Sequence, residues 1–263
     1  MTAFTTERIE SYCEAEGICP DARNRELDSF RDYLADGSGK KVLELGSGNG
    51  TLTRCLQAMD WTVDTADIAF QAPAGVRRHY TADIADGLGF LPSATEYDAV
   101  VSLAVLHHVV SDGRFLPDAL ARDIAAVTKP DGIVILQDVP APLDDLALEQ
   151  MANCQCEGAQ NTIQIFANLV DAHSVPTHNG VYLNMTAIAE QLSDQFSLFS
   201  RFYHRCDWQF QDADTAVRYV QSLFNLDLSL IKLEQSLAPS LNEAGQGVSL
   251  PWALDCLVMR RRS

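Results

Sequence analysis

The sequence predicts an α/β protein: a doubly wound, mostly parallel sheet of seven strands with helical insertions that form a cap. Three observations carry this. Between residues 41 and 138, strand-like and helix-like segments alternate. The strands at 97–105 and 132–138 are β-branched and almost wholly apolar, which implies burial on both faces and therefore a parallel sheet covered by helices. The first of them runs directly into a glycine-rich turn, "VLELGSGNG" at 42–50, and then into a helical pattern.

The elements follow in order. Residues 1–36 read as an N-terminal helical lid and 37–263 as the main domain, with cap insertions at about 139–185 and 211–250. "KVLEL" (41–45) is the first strand and "GTLTRCLQAM" the first covering helix. "WTVDTAD" (61–67) alternates with period two, and "RRHYTAD" (77–83) is a weaker third strand. "YDAVVSLAV" (97–105) and "GIVILQD" (132–138) are the fourth and fifth. Between them "GRFLPDALARDIAAVTKPDG" has helical spacing and a stop signal at Pro130 and Gly132. Beyond Pro140 and Pro142 comes a helix near 143–156, then the mixed segment "NTIQIFANLVDAHSVPTHNGVY". "NMTAIAEQLSDQF" reads as a helix with Thr186 near its start. "SLFSRFYHRCDWQF" (197–210) is the sixth strand, 213–237 a long helical segment open to a break, and "PWALDCLVMRRR" (251–262) the seventh strand.

Composition excludes more than it identifies. At 263 residues, 47% of them hydrophobic, the chain can bury a sizeable core. "MTAFTTERIESYCEAEG" has no basic region followed by an apolar run, so it does not read as a signal peptide. No stretch approaches the ~18 apolar residues of a spanning helix. A cytoplasmic protein without a membrane partner is the expectation. Seven scattered cysteines, Cys154 and Cys156 the one close pair, read as reduced thiols, and no metal-binding spacing is present. The net charge of −17 opposes a nucleic-acid partner, because Arg77–Arg78 and Arg260–Arg262 are too short to form a basic patch.

The glycines Gly46, Gly48 and Gly50 are spaced G-x-G-x-G. A dinucleotide fingerprint would need glycine at position 51, which is Thr51, and no Gly-Lys-Ser/Thr follows to make a phosphate-binding Walker loop. Glu44, just before the turn, would repel a phosphate and suits a ligand that carries an ammonium group. With this loop the sequence resembles motif I of the class I S-adenosylmethionine-dependent methyltransferases, and in particular their small-molecule members. "YDAVVSLAVLHHV" (97–109) is similar to the family's fourth strand with its "LHH", and "IAAVTKPDGIVILQD" (124–138) to its "L-PGG" turn and fifth strand. Asp131 stands where the family has the first glycine of "PGG", and Ser47 where it often has cysteine.

The resemblance implies a Rossmann-like fold and S-adenosyl-L-methionine as cofactor, held by Glu44, Gly46, Ser47, Gly48, Asn49, Gly50, Asp67, Ile68, Asp83, Ile84 and Leu103. Glu44 would face the methionyl ammonium, directly or indirectly. Asp67, about 20 residues past the loop, would bind the ribose hydroxyls, and Asp83 with Ile84 the adenine. These acids sit in two copies of "TADI", Thr65–Ile68 and Thr81–Ile84, read as the ends of neighbouring strands rather than as a duplication. Asp64 is the rival of Asp67, but alternation leaves Asp67 at the strand tip. Leu103 would offer backbone near the sulfonium.

Candidates for proton transfer are His107, His108 and His178, each weighed against a packing or hydrogen-bonding role. Candidates for substrate contact are His173, His178, Tyr182 and Tyr12, with His204 also in view; Tyr12 and Tyr33 would belong to a lid over the cofactor, though a helical aromatic is more often packing. The implied reaction is methyl transfer to a nitrogen or oxygen of a small molecule by in-line displacement, which needs a nucleophile held close, aligned and dry. A protein or peptide methyltransferase, or a non-catalytic subunit that binds the cofactor, are the alternatives.

Overall fold

The structure, a computed structural model, describes residues 6–69, 71–110, 115–140, 157–175 and 182–263. The helix expected near 143–156, the Cys154–Cys156 pair and His178 lie outside the described residues. The chain forms two compact units: residues 27–140, 180–202 and 255–263 in one, residues 1–26, 141–179 and 203–254 in the other.

The first unit is built on a seven-stranded sheet whose strands are β1 (Lys41–Leu45), β2 (Thr62–Asp67), β3 (Arg78–Thr81), β4 (Tyr97–Leu103), β5 (Thr128–Asp138), β6 (Phe196–Arg205) and β10 (Ala253–Arg261). Their spatial order is β3-β2-β1-β4-β5-β10-β6. The first five run parallel, and β10 pairs antiparallel with β5. All seven expected strands are present in a Rossmann-like α/β sheet. The strand order reverses between β1 and β4, and ligands of open α/β sheets bind outside the carboxyl ends of strands at such a switch point.

Period-two alternation explains why both faces are covered. Leu43, Leu45, Val100, Val134 and Leu136 point into one core with Leu106, Leu120, Ile124, Met185 and Ile188. Val42, Val63, Ala99, Val101 and Ile135 point into the other with Phe30, Leu52, Leu56 and Trp61. Each such side chain contributes roughly 1.5–3 kcal/mol through burial. The helices α2 (Asp28–Tyr33), α3 (Thr51–Ala58) and α4 (Asp118–Val127) supply Phe30, Leu52, Leu56, Leu120 and Ile124 among these partners; Leu120, Ala121, Ile124 and Ala125 are the buried positions of α4.

Several boundaries differ from expectation. Helix α4 ends at Val127 rather than at Pro130, because Thr128 already joins β5, its hydroxyl donating to the Ile124 carbonyl at 2.6 Å. Tyr97 pairs with Thr128 and Ala99 with Ile133, so "KPDG" bulges out of the ladder and Asp131 takes φ 62°. Helix α6 (Met185–Leu192) is capped by Asn184, whose side chain accepts from the Ala187 N–H at 3.1 Å. Thr186 instead meets Arg201 through its hydroxyl.

The second unit holds α1 (Thr6–Ile18), α5 (Glu157–His173), α7 (Ala213–Phe224), α8 (Leu230–Leu237) and a small sheet of order β7-β9-β8. Its strands are β7 (Trp208–Phe210), β8 (Asn242–Ala244) and β9 (Gly247–Leu250). The expected strand 197–210 is therefore two strands in different sheets. The long helical segment is also two helices, separated where Asn225 takes the left-handed φ of 47°. Phe166, Trp208 and Trp252 form its aromatic centre, with the two indole rings 4.7 Å apart. Among the described residues no helix is long and apolar enough to cross a membrane.

Candidate active site

The loop after β1 is shaped by three glycines with left-handed backbone, Gly46 at φ 73°, Gly48 at 51° and Gly50 at 83°. They are not equivalent. A Cβ on Gly46 would lie 2.4 Å from Val105 Cγ2, so the loop passes against the segment after β4. A Cβ on Gly50 would lie 2.8 Å from Pro73 Cβ. A Cβ on Gly48 would meet nothing within 4 Å among the described residues, so this side of the loop is open to them. Asn49 braces the turn into α3: its side-chain oxygen accepts from the Thr51 N–H at 3.2 Å and the Thr51 hydroxyl at 2.9 Å. Ser47 is buried, and its hydroxyl has no partner among the described residues.

Asp67, the last residue of β2, meets this loop. Its Oδ2 accepts the Gly48 N–H at 2.8 Å, and its Oδ1 accepts the Ala69 N–H at 2.8 Å. The rival Asp64 is committed elsewhere. It is fully buried, receives Arg77 Nε at 2.8 Å and accepts the Tyr97 hydroxyl at 2.8 Å. Two acids three residues apart thus have separate duties, one at the loop and one inside the sheet.

The apolar neighbours of the two "TADI" acids also differ. Ile68 is 53% exposed beside Asp67, whereas Ile84 is 5% exposed and packs with Leu43, Leu45 and Tyr97. Ile84, expected with Asp83 at the adenine, has its side chain in the core, and Ile68 presents the larger exposed surface. Asp83 caps the short turn Ile84–Asp86, its Oδ1 accepting from the Ala85 N–H at 2.9 Å.

Glu44 sits behind the loop. It is 1% exposed, and its Oε2 accepts the Thr53 hydroxyl of α3 at 2.5 Å. Burial pushes its carboxyl up to about 8, and the nearby Asp67 charge adds to that push while the Thr53 bond opposes it. This bond ties it to the helix that follows the loop.

At the end of β4, Leu103 is half-buried, and the next residue, Ala104, takes φ 51° and donates its N–H to the Gln137 carbonyl at 2.8 Å. This kink sends the chain into the short turn Leu106–His108. There Nδ1 of His107 lies 2.6 Å from Oδ1 of Asp138, and the His108 ring centre is 4.0 Å from that of His107. Asp138 ends β5 and is fully buried. Sequence reasoning missed it, since nothing local marks an acid that matters through a histidine 31 positions away.

The structure places the loop, Asp67, Ile68, Asp83, Leu103, His107, His108 and Tyr182 in the first unit. His173, at the end of α5, and Tyr12 fall in the second. Tyr12 accepts Arg23 Nη1 at 2.8 Å, and burial pushes its hydroxyl pKa up. The His204 ring Nε2 lies 2.7 Å from the Arg25 carbonyl. Tyr33 packs edge-on against Phe199.

Residues 21–176 match a family model described as a methyltransferase domain. Solved structures share the fold. The cyclopropane synthase MmaA2 from Mycobacterium tuberculosis is 14% identical, with 97% of this chain and 94% of that one covered and a TM-score of 0.54. Magnesium protoporphyrin IX methyltransferase from Synechocystis PCC 6803, solved with bound SAH, is 16% identical over 99% and 96% of the chains, with a TM-score of 0.52. The YcgJ protein from Bacillus subtilis is 15% identical over 90% and 98%, with a TM-score of 0.54.

Proposed function

This chain belongs to the methyltransferase-domain family, and from that premise we propose that it moves a methyl group from S-adenosyl-L-methionine to a nitrogen or oxygen of a small molecule by in-line displacement. The observation that carries this reading is the meeting of Asp67 with the open side of the loop at Gly48. A carboxylate at that point can accept from a vicinal diol, and Ile68 beside it offers an apolar face for a flat base. The buried Ser47 hydroxyl, without a partner among the described residues, gives the same loop a polar contact to offer a ligand.

The residues present fit that cofactor. Asp67 and Ile68 would hold its nucleoside, with Asp83 at the neighbouring strand end, and Gly46 to Gly50 would pass under its amino-acid part. When bound, the cofactor supplies a methyl carbon already activated by a sulfonium. The chain's own share is binding and alignment. Asn49 braces the loop, Glu44 ties β1 to the helix after it, and the kink after Leu103 brings backbone to the sheet's carboxyl edge. Positioning of this kind accounts for most of what a displacement at activated carbon requires.

Transfer of labelled methyl from S-adenosyl-L-methionine to a panel of small metabolites, with proteins and peptides in parallel, tests the reading. Label in one class of small nitrogen or oxygen compounds is the expected result. Label confined to proteins or peptides would overturn the substrate class.

A further inference from the structure

Behind the glycine loop the sheet carries a short polar row. Glu44 of β1 has Val101 of β4 and Thr65 of β2 as cross-strand partners, and Thr65 in turn pairs with His79 of β3. Register partners of this kind send their side chains to one face of a sheet. The Thr65 hydroxyl lies 2.8 Å from His79 Nδ1, and Val101 is apolar and buried. Glu44 is therefore left to the helix above it, where its Oε2 accepts the Thr53 hydroxyl at 2.5 Å. A carboxyl group 1% exposed, with one neutral donor, stands directly under a loop shaped to receive a ligand.

The titratable groups around it among the described residues come from three elements. Asp67 of β2 is a like charge and works against a second carboxylate. His79 of β3 stands beyond Thr65 in the row. Helix α3 brings Arg54 and Cys55. Arg54 is engaged by the loop, donating to the Asn49 carbonyl at 3.0 Å and to the Thr51 hydroxyl at 3.1 Å, so its pull on Glu44 is weak. Burial pushes the Cys55 thiol up, which keeps it neutral. No ion pair among the described residues holds Glu44. Burial, with Asp67 adding to it, therefore keeps Glu44 a neutral acid at pH 7. An opposite charge arriving within ~4–6 Å would favour the ionised form instead.

We infer that the cationic amino-acid end of the cofactor displaces a proton from Glu44, so that binding at this loop is proton-linked. This rests on the reading under Proposed function. In the free chain Glu44 is a carboxylic acid; in the complex it is a carboxylate that keeps the Thr53 hydroxyl. The proton passes to solvent, and no other covalent bond forms or breaks. The sign follows from the count. The complex holds one proton fewer than its separate parts, so affinity rises with pH. The rise is up to about tenfold per pH unit and levels off above about 8, where the free chain is itself ionised. Glu44 thus acts as a charge reserve behind the loop: neutral while the site is empty, negative when a cation fills it.

Two measurements on the full chain test this. Calorimetry with S-adenosyl-L-methionine at pH 7, in buffers of different ionisation enthalpy, counts the protons released on binding. The parent should release about one proton more than Glu44→Gln, which cannot ionise. The cofactor's own amino group, with an ordinary pKa of about 7.7–8.0, titrates alike in both, so the difference isolates Glu44. Between about pH 6 and 8 the parent's affinity should climb roughly 10- to 100-fold relative to the variant's. Infrared difference spectra give a second readout that needs no variant and decides alone if Glu44→Gln does not fold. With carbon-13 glutamate, cofactor added at pH 7 should remove a carboxylic-acid carbonyl band and add a carboxylate band. Binding with equal proton release in parent and variant, or an acid band absent from the free chain or unchanged by bound cofactor, would each overturn the proposal. A chain that binds no cofactor would instead contradict the reading it rests on, and the linkage would fall with it.

Discussion

Gly48 donates its backbone N–H to Oδ2 of Asp67 over 2.8 Å, tying the open side of the glycine loop to the tip of β2. A diol arriving here would share an acceptor that already orders the loop. Asp67→Ala removes a charged hydrogen-bond acceptor worth about 1.5–3 kcal/mol. Calorimetry should show affinity for S-adenosylhomocysteine falling roughly 10- to 100-fold. An unchanged affinity would mean that Asp67 is the wrong acid.

Gly46 and Gly48 separate folding from binding. Gly46→Ala sets a Cβ 2.4 Å from Val105 in a left-handed backbone, and it should destabilise the protein by about 1–3 kcal/mol in thermal or urea unfolding. Gly48→Ala carries the backbone cost without the clash, so its loss of stability should be smaller. Its methyl would stand on the open side of the loop, and the expected result is weaker cofactor binding.

Arg77→Ala tests the division of duties between the two acids of β2. It leaves Asp64, fully buried, with the Tyr97 hydroxyl as its remaining partner among the described residues. Breaking a buried pair costs about 3–5 kcal/mol, and the partial exposure of Arg77 places this case at about 2–3. The prediction is lower stability with cofactor affinity retained once the chain is folded. A variant as stable as the parent would contradict the role given to Asp64.

Glu44 should make stability depend on pH in an unusual direction. Its folded-state pKa, about 8, is above the ordinary 4.5, so the fold favours the neutral acid. That contribution is fully present below about 4.5 and is lost as pH rises through about 8. Glu44→Gln keeps a hydrogen-bonding side chain and removes the titration. In unfolding midpoints the variant should resemble the parent near pH 4 and exceed it near pH 9, an expectation drawn from the same linkage. Parallel curves for the two proteins would show that Glu44 is not the group involved.

The sheet was readable because its signal is repeated. Val42 against Leu43 and Val134 against Ile135 alternate between two cores, and β2 and β4 also send residues into both. The loop and the tip of β2 were readable for a local reason: glycine spacing and a strand-ending acid are short-range features. What escaped depends on partners distant in the chain. Asp138 is unremarkable until β5 pairs with β4 and brings it to His107. Ile84 and Ile68 occupy identical tetrapeptides, and only packing makes one core and the other exposed. The division of 197–210 into β6 and β7 likewise follows from which sheet each half joins, and the break at Asn225 from a left-handed residue other than glycine.

The central claim is that the loop of Gly46 to Gly50, with Asp67, holds S-adenosyl-L-methionine. Isothermal titration of the full chain with S-adenosylmethionine and with S-adenosylhomocysteine tests it most directly. The account predicts saturable binding of both, at one site per chain. Binding of neither would contradict it.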